Sequence, residues 1–170
     1  MVTDVIPLLL LVTRILDAQA IRYVVGGSLA SSQYGELRAT NDIDLMLELP
    51  RGKVHALVEA MKGDFDIWED TVQAAVEAGR SFGSLHIDWH VKVDFFPLGG
   101  GALDEKTMER RQAVRLSAEP DRDIYYASAE DIILRKLDWY RMSQEVLDRQ
   151  LRDVRGIVKV QGTSLDLIVR

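Results

Sequence analysis

Asp42 and Asp44 stand two residues apart in the run Asp42-Ile43-Asp44-Leu45, and Asp94 lies inside a second apolar run, Val91-Lys92-Val93-Asp94-Phe95-Phe96. Side chains two apart on an extended strand leave the same face. If the two runs are neighbouring strands, three carboxylates converge. Oxygen donors without thiolate suit magnesium or manganese, which complete their shells with water and substrate phosphates. Such ions polarise an attacking hydroxyl and stabilise a leaving pyrophosphate in an in-line displacement. Upstream, Gly26-Gly27-Ser28 follows the β-branched and aromatic run 21–25 and precedes a short helical pattern, with residues 29–41 between it and Asp42. Glycines at a strand-to-helix turn let backbone amides approach phosphate oxygens, and the helix adds the positive end of its dipole. Alone, Asp-x-Asp also fits a turn and a solvated strand residue, and Gly-Gly-Ser is a common turn.

The elements that must position these residues can be read from periodicity. An amphipathic helix is expected over 6–20, a strand over 21–25, and a helix to Tyr34 capped by Ser28. Residues 42–49 alternate, with Ile43, Leu45 and Leu47 on one face and Asp42, Asp44, Met46 and Glu48 on the other. Helices are expected over 53–61 and 71–78, and a hairpin over 82–88 and 91–95. Pro97 and Gly99-Gly100-Gly101 then break the chain, too briefly to separate domains. A charged helix over 104–111 and a short strand over 124–127 follow. Ser128-Ala129-Glu130-Asp131 resembles a capping box and opens a helix to about Arg141, and a last helix runs from near Gln144 to Val160. The expectation is one α+β domain over 1–170, a mixed sheet flanked by helices, with the carboxylates in 1–100 and a mainly helical part in 101–170.

Composition narrows the function classes. The chain has 170 residues, 47% apolar and 28% charged, the profile of a folded domain. Without cysteine there is no disulfide scaffold, zinc ribbon or thiol nucleophile. Residues 1–100 carry 8 Lys and Arg against 14 Asp and Glu, whereas residues 101–170 carry 13 of each, so the whole net charge of −6 lies in the first part. That argues against a general nucleic-acid binder, whose affinity comes from basic residues on phosphates. An anionic substrate needs a divalent cation to meet these carboxylates. The apolar run 5–12 has eight residues, against roughly 20 for a spanning helix, and Asp4 stands where a signal peptide is positive. A cytoplasmic protein without membrane contact is the expectation. His86, Asp88 and His90 share one parity, which a hairpin turn at 88–90 would break. His55 reads as structural. Trp68, Trp89 and Trp139 read as core residues before they read as stacking platforms.

The glycine turn, Asp42-Ile43-Asp44-Leu45 and the later strand aspartate together resemble the signature of the polymerase-β-like nucleotidyltransferase superfamily. A wider set resembles the minimal nucleotidyltransferases of the abortive-infection toxin (AbiEii-like) group: residues 23–30, Gly35, Arg38, Thr40 and 41–45, then 129–137, Arg141 and Arg152-Asp153. The resemblance spans about 21–162. It implies that a nucleotidyl group passes from a nucleoside triphosphate, with Mg2+ or Mn2+, to an acceptor hydroxyl that in some members belongs to tRNA. It also implies a place in a toxin–antitoxin pair, with an antitoxin protein as partner. By the same resemblance Asp42 and Asp44 hold the metals, and Asp94 completes the site and helps to deprotonate the acceptor. Gly26, Gly27, Ser28 and Lys136 take the phosphates.

Read from the residues alone, Lys136 is as readily a solvated helix lysine, whose removal should affect folding little, as a point charge for a triphosphate, and Arg38 and Thr40 either orient the loop ahead of Asp42 or are turn residues with Glu36 as ion-pair partner. Lys92 either neutralises the site or makes a cross-strand ion pair, and Arg152 and Asp153 tie helices together. Gly156 departs from the group, which usually has an acid there, and the chain ends soon after Leu165-Asp166-Leu167, where relatives often continue into a helix. Two other classes stay open: a catalytically idle nucleotidyltransferase fold used for binding or regulation, and a glycosyltransferase holding a nucleotide sugar through Asp-x-Asp. The latter explains neither Gly26-Gly27-Ser28 nor Asp94.

Overall fold

The computed structural model describes residues 5–143 and 148–166, so the expected helix start at Gln144, along with Asp4 and Leu167, lies outside the described residues. Helix α1 (Ile6–Ala18) starts with proline in its first turn and buries Leu8, Leu9, Val12 and Leu16 completely. Strand β1 (Arg22–Val25) leads through the glycine turn into α2 (Gly27–Tyr34), and β2 (Asp42–Glu48) follows. After a short 3-10 turn come α3 (Val54–Met61), β3 (Phe65–Asp66) and α4 (Glu69–Glu77). The hairpin is β4 (Phe82–His86) and β5 (Lys92–Pro97), followed by α5 (Ala102–Glu109). A second hairpin, β6 (Gln112–Leu116) and β7 (Glu119–Tyr126), precedes α6 (Ala129–Met142) and α7 (Asp148–Gln161).

Among the described residues seven strands form one mixed sheet in the order β3-β4-β5-β2-β1-β7-β6. β2 runs parallel to β5 and antiparallel to β1, which pairs in parallel with β7. The second half of the chain therefore adds two strands to the sheet as well as three helices. Residue 124 was expected to start a short strand, yet β7 begins at Glu119, and β6 was not expected. Gln112, Ala113 and Arg115 are in solvent, and only Val114 and Leu116 pack on the core, too short an alternation to mark a strand. Arg115 pairs with Asp123 of β7 at 2.8 Å, and Arg122 ties β7 in turn to Asp17 of α1 at 2.6 Å.

The alternation of β2 decides the layering. Ile43, Leu45 and Leu47 are fully buried with Val93 and Phe95 of β5, on the side covered by α1, α3 and α4. Removing each such side chain from water contributes roughly 1.5–3 kcal/mol. The opposite face carries Asp42, Asp44, Lys92 and Asp94, and over it stand α2, α6 and α7, which pack on one another. Ser128 caps α6 as expected, its hydroxyl accepting from the Asp131 amide at 3.2 Å. Asp131 itself is buried against Arg110.

The approach of α2 to α7 is set by glycine. A Cβ on Gly35 would lie 2.9–3.0 Å from the backbone of Ile157 and Gly156 and the Ser31 carbonyl oxygen, atoms that cannot swing aside. Gly156 meets the Glu36 backbone less tightly, with 3.3 Å from a Cβ there to the Glu36 nitrogen. Gly35→Ala should push α2 off α7 and destabilise the fold by about 1–3 kcal/mol, read as a lower urea midpoint. An unchanged midpoint would show that the helices are not in contact there.

Candidate functional site

The register of two parallel strands brings the acids together. Asp44 of β2 lies opposite Asp94 of β5, and Asp42 lies opposite Lys92, on strands about 4.8 Å apart. All four side chains share the open face, so the convergence expected from strand parity is present at the level of the backbone. The three aspartates floor a cleft of about 440 Å³, lined also by Gly27, Ser28, Arg38, Thr40, Phe96, Lys136, Trp139, Arg149 and Gln150.

Gly27 stands directly over Asp44. Its φ is +55°, and a Cβ would fall 1.7 Å from Asp44 Oδ2, so both backbone and space require glycine. Gly26 has a different task from the one expected. Its amide donates to the Asp44 carbonyl at 2.9 Å, pinning the turn to β2, and its own carbonyl accepts from Ala30 as the cap of α2. The amides opening α2 at Gly27, Ser28 and Leu29 have no partner within the helix, and Gly27 and Ser28 face the cleft. Ser28 does not cap the helix. Its hydroxyl instead accepts from the Arg38 guanidinium.

Of the two readings of Arg38 the ion pair with Glu36 is absent: Arg38 pairs with Asp153 at 3.4 Å and Glu36 with Lys159 at 2.6 Å. Lys136 is not solvated. Its side chain is 6% exposed, and Nζ donates to Asp153 at 2.7 Å and to Gln150 at 3.2 Å. The reason was legible: Ala129, Ile132 and Lys136 follow the i, i+3, i+7 spacing of one helix face, and that face is buried. Asp153 thus ties α7 to α6 and, through Arg38, to Ser28 at the glycine turn. Its helix-tying role was expected; its pairing with Arg38, and the place of Gln150 in the cleft wall, were not.

The electrostatics follow from crowding. Burial raises the Asp44 carboxyl above its ordinary value, and Asp94 and Asp42 push the same way against Lys136 and Lys92. The Lys92 ammonium is held protonated above its ordinary range chiefly by its hydrogen bond to Asp94 at 2.7 Å. Burial lowers Lys136, with Asp153 opposing. In donor type and register Asp42, Asp44 and Asp94 fit a hard divalent cation. In side-chain placement the fit is incomplete, because among the described residues no three acidic or histidine side chains stand as a metal-binding group. Asp94 is turned to Lys92.

The tryptophans are less buried than their type suggests: Trp68 is 71% and Trp89 42% exposed, and Trp139 lines the cleft beside Phe96, ring centroids 6.1 Å apart. His86 is buried between Phe65 and Trp89, and exposed His55 pairs with Glu69 at 2.9 Å, so neither joins the site.

No protein-family model matches the sequence, and no curated protein does. Solved structures do match in fold. The antibiotic-resistance factor ANT(2'')-Ia in solution superposes with a TM-score of 0.62 at 15% identity, over 96% of this chain and 88% of that one. The lincosamide antibiotic adenylyltransferase LnuA with lincomycin bound gives 0.55 at 11%, over 89% and 95%. An antigenic nucleotidyltransferase-like protein from Paracoccidioides brasiliensis gives 0.56 at 16%, over 89% and 73%. The chain has the nucleotidyltransferase fold. At these identities the likeness concerns the fold, and the AbiEii-like resemblance stays with the sequence motifs. Among the described residues no helix is long and apolar enough to cross a membrane.

Burial of Lys136 reverses the expectation for its removal. Lys136→Met leaves Asp153, itself 6% exposed, with Arg38 as its remaining ion-pair partner, and should cost about 3–5 kcal/mol. Lys136→Met with Asp153→Leu should recover part of that loss in urea unfolding. A cost below about 1 kcal/mol for the single change would mean that the pair is open to water.

Proposed function

We propose that this chain transfers a nucleotidyl group from a nucleoside triphosphate to an acceptor hydroxyl. The observation that carries the reading is the Asp44–Asp94 register pair facing Gly27 at the head of α2, within a nucleotidyltransferase fold. Asp42, Asp44 and Asp94 would hold magnesium or manganese, and the bound cation supplies Lewis-acid stabilisation of charge on the phosphates. The first-turn amides of α2 and the Ser28 hydroxyl, fixed by Arg38, receive the phosphate oxygens. Lys136 faces them from α6, and Trp139 with Phe96 offers an aromatic wall for the base. The acceptor oxygen attacks the α-phosphorus, its proton passes to the Asp94 carboxylate, and the bond to pyrophosphate breaks.

The acceptor divides this reading in two. The family resemblance supports tRNA, with a toxin role and an antitoxin partner, and Arg149 and Arg152 near the cleft suit a polyanion. The acidic first 100 residues favour a small hydroxylated acceptor. Structures of that kind exist among the fold neighbours: ANT(2'')-Ia is seen with adenylyl-2''-tobramycin (TM-score 0.55, 14% identity, 93% of this chain and 90% of that one), and LnuA with lincomycin.

Each α-labelled triphosphate should be incubated with magnesium and either total RNA or a panel of hydroxylated amines. Label should enter one acceptor class, vanish with chelator, and fall at least about 100-fold in Asp44→Asn, the scale of losing one electrostatic contact to the transition state. Label in RNA selects the toxin reading; label in a small molecule removes it. No transfer and no pyrophosphate release with any triphosphate would favour the idle binding module.

A further inference from the structure

Lys92 sits where the carboxylates need a cation. It lies opposite Asp42 across the β2–β5 ladder and two residues before Asp94 on the same strand face, with Nζ 2.7 Å from Asp94 Oδ1. The pair leans away from Asp44. A Cβ built on Gly83 of β4 would stand 3.1 Å from both Asp94 Oδ1 and Lys92 Cε, and β4 flanks β5 on the side opposite β2. Asp94 is thus parked over a glycine by a lysine.

We infer that Lys92 is a tethered counter-ion that keeps a divalent cation out of the carboxylate site until a nucleotide arrives with it. The inference rests on the reading that Asp42, Asp44 and Asp94 hold a cation. A divalent ion arriving alone must displace the ammonium from Asp94 while giving up tightly held water, and it leaves the ammonium without an anion. An ion arriving on a triphosphate brings phosphate oxygens for its own shell and an anion for the displaced lysine. The Lys92 side chain is 54% exposed, so its release breaks a surface ion pair, which is weak. Gly83 provides the space into which the pair withdraws. The consequence is ordered loading, in which the site charges with metal only together with its substrate.

Manganese titrated calorimetrically into the whole chain without nucleotide tests this. Lys92→Met keeps the stem and removes the charge, and should bind manganese about two- to fivefold more tightly than the unchanged chain, the scale of a surface ion pair. That gain should disappear when Asp44→Asn is added. Gly83→Ala, which crowds the parked pair while retaining Lys92, should shift affinity in the same direction. With α,β-methylene-ATP present, the gap between Lys92→Met and the unchanged chain should close, whereas a mere change of net charge would leave it open. Equal manganese affinity in both chains, or a gap that persists with the nucleotide analogue, overturns the role of Lys92 and leaves the metal reading standing. Failure of Lys92→Met to bind manganese at millimolar concentration overturns both.

Discussion

Three carboxylates held on one face of two adjacent strands repel one another, and much of the surrounding structure is arranged around that repulsion. Parallel pairing of β2 with β5 fixes Asp44 against Asp94 through the backbone, so the side chains cannot separate far without breaking the ladder. Burial under the glycine turn adds to the cost of charge on Asp44. Countercharge has to come from outside the two strands or from Lys92 on β5 itself. The half of the chain with balanced charge supplies part of it, as Lys136 on α6, and Arg38 stands at the rim.

That countercharge is itself held in place by one buried acid. Asp153 on α7 accepts from Lys136 and pairs with Arg38, and Arg38 reaches Ser28 at the head of α2. The glycine turn and the buried Lys136 are therefore tied to the same point. Gly35 and Gly156 let α2 and α7 approach closely enough for this to happen. Movement of α7 would displace both halves of the cleft together, so packing of the C-terminal helices and geometry at the carboxylates belong to a single mechanical unit.

Local pattern made part of this legible. The alternation of 42–49 gave the strand, its buried face and the shared face of Asp42 and Asp44, because strand periodicity is a local property. Gly27 was legible as a turn, though its contact with Asp44 was not. The Asp44–Asp94 register joins residues separated by the whole α3, β3, α4 and β4 segment, and no local pattern encodes it. Lys136 was misjudged because its charge was weighed before its helical phase. The tryptophans were misjudged because size was taken for burial. β6 escaped notice because its inward face shows only Val114 and Leu116, an alternation too short to stand out. Ser28 has the right type and place for a cap, and the distant Arg38 takes its hydroxyl instead.

A crystal structure of the chain grown with manganese and a non-hydrolysable triphosphate analogue would test the central claim most directly, through the anomalous signal of the metal. The account predicts manganese within about 2.0–2.6 Å of carboxylate oxygens of Asp42 and Asp44, triphosphate against the amides of Gly27 and Ser28, and Asp94 turned from Lys92 toward Asp44. Manganese and triphosphate bound elsewhere, with the Lys92–Asp94 pair undisturbed, would contradict it.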